Sequence, residues 1–112
     1  MSTSTPTLLQ QYEAIAKITH TMLERAQVNE WDEVVLLSER YVQAVDQLRH
    51  FMPPSTSDRL ARRQLLTQIL EDDAQIRHLA MPELSRLNAL LGNMKRQQDV
   101  LQAYCTPGLQ AT

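Results

Sequence analysis

A chain of 112 residues with 43% hydrophobic and 21% charged content has the size and balance of one globular domain, residues 1–112, and no stretch resembles a linker between two cores. Its formal net charge of -2 excludes the basic field of a generic nucleic-acid binder, and no apolar run reaches the ~18 residues of a membrane-spanning helix, which excludes membrane insertion. With 2 glycines and 4% aromatic residues the composition suits helices over twisted sheets, and the lone Cys105 fits a reducing, cytoplasmic compartment.

Residues 1–5 form a Ser/Thr-rich leader with no basic region of the kind an export signal carries. Thr5 is the expected cap of helix one, with Pro6 in the first position, where its missing N–H costs nothing. Leu8, Tyr12, Ile15, Thr19, Met22 and Ala26 then recur at spacings of four and three, which predicts one buried stripe. Asn29 is the expected cap of helix two, and Glu30, Asp32 and Glu33 place three carboxylates where the helix dipole favours them. Its stripe is Trp31, Val34, Leu37, Tyr41, Val45, Leu48 and Met52, ended by Pro53-Pro54. The short break near Val28 predicts an antiparallel hairpin.

Helix three is expected from about Asp58, capped at Ser57, to Leu91, because Ile76, Ala80, Leu84, Leu87, Leu91 and Met94 keep one phase across Pro82. This is one helix of roughly 35 residues, kinked at the proline and about 50 Å long, so its end overhangs the hairpin and needs a cover. Gly92-Asn93 reads as a stop and a cap. A short last helix over 94–104 then presents Val100, Leu101 and Tyr104, followed by a tail over 105–112. The fold class is all-α: an antiparallel bundle of three main helices, the third long and kinked at Pro82, plus a short C-terminal helix.

Catalytic apparatus is not visible. His20, His50 and His78 fall one per helix without metal-ligand partners, and there is no Gly-rich phosphate loop or nucleophile motif. Glu71-Asp72-Asp73 would splay over about 200° of a helix, which predicts a solvated acidic face aided by an Asp73–Arg77 pair. No enzyme activity, metal or cofactor is expected. Arg59, Arg62 and Arg63 form a basic patch that is either a solvated first turn or a contact for an acidic partner. Ile76, Leu79, Leu84, Leu87, Leu91 and Met94 are the candidate partner-binding surface. For its distal half two readings stay open, plain core or an exchangeable groove that the short last helix competes for.

Met22-Leu23-Glu24-Arg25-Ala26 followed by Glu30-Trp31-Asp32 resembles the turn between the first helices of FliT-type flagellar export chaperones. Leu84-Ser85-Arg86-Leu87-Asn88-Ala89-Leu90-Leu91-Gly92, then Arg96-Gln97 and Ala103-Tyr104, is similar to that family's distal region. The resemblance covers about Tyr12 to Tyr104 and rests on order and spacing. It implies a cytoplasmic chaperone of the flagellar type III secretion system that keeps the filament-cap protein (FliD-like) export-competent and delivers it to the export ATPase complex. In some members it also implies binding of the FlhDC transcriptional activator, with repression of flagellar genes, and it implies a homodimer. The family's terminal helix, thought to restrain partner binding, corresponds here to Met94 to Tyr104.

Overall fold

The structure, a computed structural model, describes residues 7–51 and 59–105, without the side chains of Leu84, Tyr104 and Cys105. Every regular element among them is helical: α1 (Leu8–Gln27), α2 (Trp31–Asp46), α3 (Arg59–Ala80) and α4 (Leu84–Cys105). Two 3-10 segments follow α2 and α3, Gln47–His50 and Met81–Glu83. The all-α expectation is met. The expected caps at Thr5 and Ser57, with Pro6, Met52 and the Pro53-Pro54 stop, lie outside the described residues.

α1 begins on Thr7, whose Oγ1 accepts from the Gln10 N–H at 3.1 Å while the Thr7 N–H donates to Gln10 Oε1 at 2.9 Å. This reciprocal box satisfies donors that the first turn leaves open. Tyr12, Ile15, Thr19, Met22, Leu23 and Ala26 are buried, so the predicted stripe is the one that packs.

The turn after α1 corrects the reading of Asn29. Asn29 has φ 62°, in the left-handed region, and is not the cap of α2. Its N–H donates to the Ala26 carbonyl at 3.0 Å and the Glu30 N–H reaches the Arg25 carbonyl at 2.9 Å, which is a Schellman closure of α1. Asparagine tolerates this conformation where a β-branched residue would not. Asn29→Val is therefore expected to lower stability by about 1–2 kcal/mol, measurable by urea denaturation.

Helix three is shorter than its periodicity implied. Pro82 lacks the N–H that would bond back one turn, and its ring crowds the carbonyl four residues earlier. α3 accordingly stops at Ala80, three residues pass in 3-10 geometry, and α4 starts afresh at Leu84. α3 has 22 residues, or about 33 Å, in place of the expected 50 Å. A second departure from helical geometry falls at Leu87 (φ -107°, ψ 19°), where α4 bends.

The expected stop at Gly92 is also corrected, because α4 runs through it to Cys105 and no short separate helix forms over 94–104. Leu87, Leu90, Met94, Gln97 and Leu101 are buried at spacings of three, four, three and four. A glycine inside a helix costs about 1 kcal/mol relative to alanine, whereas each fully buried leucine or methionine contributes about 1.5–3 kcal/mol. The seam wins. A Cβ built on Gly92 meets nothing within 4 Å. Gly92→Ala should therefore raise stability by about 0.5–1 kcal/mol and the melting temperature by a few degrees. An unchanged calorimetric Tm would argue against a continuous α4.

α1 packs against both α2 and α3, and α4 packs against the same two helices. One apolar cluster runs through all four, with Ile15, Met22, Val34, Tyr41, Ile69, Ile76, Met94 and Leu101 among its most buried members.

Candidate functional site

The surface that α2 and α3 present to α4 is the place where the candidate residues converge. Ile76 of α3 is fully buried, and Leu79 one turn on is 38% exposed. Leu87, Met94 and Leu101 are buried on α4, while Leu91 and Val100 are half-buried against the same core. Leu84 and Tyr104 lie on α4, with side chains outside the described set. The candidate residues therefore do not line an open groove at the end of helix three. Four of the six proposed partner contacts, Leu84, Leu87, Leu91 and Met94, belong to α4, and Leu87 and Met94 are already covered. The expected overhang of helix three is replaced by α4 folding back onto α2 and α3.

The basic trio is not one uniform patch. Arg59 and Arg63 are exposed, but Arg62 is half-buried and already engaged.

The acidic run is a larger surprise. Asp72 and Asp73 are both buried, so the solvated-face reading holds only for Glu71. Asp73, at 0% exposure, accepts from the Tyr41 hydroxyl at Oδ2 (2.8 Å) and from Arg77 Nε at Oδ1 (2.7 Å). The Asp73–Arg77 pair was legible from its one-turn spacing; the tyrosine from α2 was not. A signal existed, since residues 72 and 73 fall in the same helical phase as Ile69, Ile76 and Ala80, all buried. Burial drives the Asp73 carboxyl above its ordinary range, partly offset by the bonds from Tyr41 and Arg77 and by the charges of Arg77 and of Lys95 on α4. Burial, with the Asp73 charge, also pushes the Tyr41 phenol upward, so it stays protonated as a donor. Beside this cluster His20 of α1 approaches Asp72 at 3.5 Å.

The seam itself has weak points. Gln97 is buried among Leu87, Leu90, Met94 and Leu101, a polar residue where a coiled-coil-like stripe favours an apolar one. α4 is joined to α3 only through the 3-10 segment Met81–Glu83, and it bends at Leu87. These residues form a helix-on-helix seam in which α4 lays its buried stripe against α2 and α3.

Among the described residues no helix is long and apolar enough to cross a membrane. The profile of a family described as flagellar protein FliT matches residues 9–106. A flagellar protein FliT from Yersinia pseudotuberculosis serotype O:3 (strain YPIII) is 34% identical over 100 residues, 87% of this chain and 83% of the relative. A flagellar protein FliT from Yersinia pestis (strain Pestoides F) is 32% identical over the same spans. No solved structure matches. With a profile spanning residues 9–106 and relatives above 30% identity over 87% of its length, the chain belongs to the FliT family of flagellar proteins.

Proposed function

We propose that this protein is a non-enzymatic, cytoplasmic export chaperone of the flagellar type III system whose client is a FliD-like filament-cap protein. An amphipathic helix of the client takes the α2–α3 face when α4 leaves it, and the loaded chaperone delivers the client to the export ATPase complex. One observation carries the reading: α4 covers that face through an apolar seam that Gln97 weakens, on a helix held by a proline-containing connection. A surface built to bind one amphipathic helix can bind another of similar pattern. The expectation that Leu84 to Met94 receive the client is recast, since those residues ride on the cover.

The test is calorimetric titration of a cap protein's C-terminal segment into the full chain and into a chain lacking residues 94–112. Truncation should tighten binding. Unchanged or weaker affinity would remove the covering role of α4. Sequestration of an FlhDC-type activator, the alternative, would use the same face, and competition between activator and cap segment separates the two. The homodimer that the resemblance implies is tested by light scattering at several concentrations.

A further inference from the structure

The outer face of α2 takes no part in the four-helix core. Asp32, Leu36, Glu39 and Gln43 recur along it at spacings of four, three and four, with Glu33 and Val35 beside them, and all are exposed. Leu36 is 65% exposed, with Val35 at 38% beside it, and the remaining positions of the face are polar. The charge around it is one-sided. Asp32, Glu33 and Glu39 make no ion pair among the described residues, and Arg40 is the face's single exposed cation.

At its N-terminal end this face opens into a cleft of about 350 Å³ lined by Asn29, Glu30, Trp31, Asp32, Glu33 and Arg86. Two of the lining charges are already spent internally: Glu30 holds Arg25 at 2.6 Å, and Arg86 holds Glu83 at 3.0 Å. The net offering of the cleft is therefore the carboxylates of Asp32 and Glu33. Trp31, 3% exposed, lines the cleft without offering an open ring face, so the Asp32 and Glu33 carboxylates are the groups that a lysine or arginine would meet there.

We propose that this face of α2 is a second docking surface, for a basic amphipathic helix of another protein that sets an apolar residue over Leu36 and directs a lysine or arginine into the Trp31 cleft. Charge complementarity selects the occupant: three unpaired carboxylates surround one exposed leucine, so an acidic helix is repelled and a basic one is steered in. The stretch from Leu36 to Gln43 is separate from the face under α4, while the cleft borrows Arg86 from the first turn of α4 and is complete when α4 is docked.

Trp31 is the chain's single tryptophan, so its fluorescence reports on the cleft directly. The probe is a synthetic amphipathic helix of leucine and lysine, compared with a leucine and glutamate counterpart, titrated into the full chain. The lysine peptide should bind saturably with a change in Trp31 emission, and the glutamate peptide should not. Asp32→Lys with Glu33→Lys should weaken binding at least tenfold. Because those residues also favour the first turn of α2, Leu36→Ser with Glu39→Lys, outside that turn, is the second variant and should weaken binding several-fold. Gln97→Leu, which acts only on the seam of α4, should change nothing. Equal binding of the two peptides, no binding of either, insensitivity to both α2 variants, or loss of binding in Gln97→Leu would each overturn the proposal. The last outcome would place the peptide under α4 instead.

Discussion

Met94→Asp combined with Leu101→Asp is expected to tighten capture of the proposed client helix by roughly 10- to 100-fold, and Gln97→Leu to weaken it. Both aspartates would enter positions of 0% exposure on the underside of α4, where an unpaired carboxylate costs several kcal/mol. α4 would leave the α2–α3 face. When the binding-competent form is a minor state, apparent affinity is reduced in proportion to its population, so removing a cover worth about 1.4–2.8 kcal/mol restores one to two decades. Gln97→Leu acts in the opposite direction. It replaces the polar break in the seam with an apolar side chain, strengthens docking by about 1–2 kcal/mol, and should reduce apparent affinity by roughly 5- to 30-fold. Circular dichroism must show the remaining helices intact in both variants, which the separate contribution of Ile15, Met22, Val34 and Ile69 to the core supports. Calorimetry on the pair decides the matter. Affinities that move together, or not at all, would mean that α4 is plain core.

The second large effect concerns stability. Tyr41→Phe should cost about 1–3 kcal/mol at neutral pH, because it strips one hydrogen bond from a buried carboxylate and leaves Asp73 with Arg77 alone. The sign of the pH dependence follows from the raised Asp73 carboxyl. In the folded state Asp73 holds its proton at pH values where the unfolded chain has released it. Folding therefore takes up a proton between the ordinary aspartate range and the raised folded value, and this group's contribution to stability falls as pH rises through that window. Acidification from neutrality recovers it until the unfolded chain protonates too. Asp73→Asn should abolish this component, so wild-type stability relative to Asp73→Asn should increase as pH falls through the window just above the ordinary aspartate range. The penalty of Tyr41→Phe should shrink over the same range, since a neutral carboxyl needs its donors less. Urea denaturation of the three proteins across that range is the measurement. Parallel pH profiles for wild type and Asp73→Asn would show that Asp73 does not titrate there.

Local sequence carried much of this fold. The α1 stripe from Tyr12 to Ala26 is buried where its spacing put it, and so is the α2 stripe at Trp31, Val34, Tyr41 and Val45, with Leu37 half-buried and Ser38 buried beside it, since a 3.6-residue period is a local property. Punctuation was less legible. Asn29 has the chemistry of a helix start and of a left-handed helix end, and only the hydrogen bonds from residues 29 and 30 back to α1 separate the two. Gly92-Asn93 carries a stop signal that is overridden because Leu90, Met94 and Leu101 find a surface to bury against. Conversely, apolar phase continued across Pro82, yet the missing N–H ended α3 regardless.

By itself, then, the sequence determined that the chain is helical, which faces of its first two helices are apolar, and the signature that places it in its family, because each is written in short-range spacing and residue order. Tertiary structure alone decided that α4 folds back over α2 and α3, that Asp73 is a buried acceptor for Tyr41, and that the outer face of α2 is left uncovered. The physical reason is common to all three. Whether an apolar stripe, a carboxylate or a leucine is buried depends on what another helix brings against it, and residues 32 positions apart, such as Tyr41 and Asp73, meet only after the chain has packed.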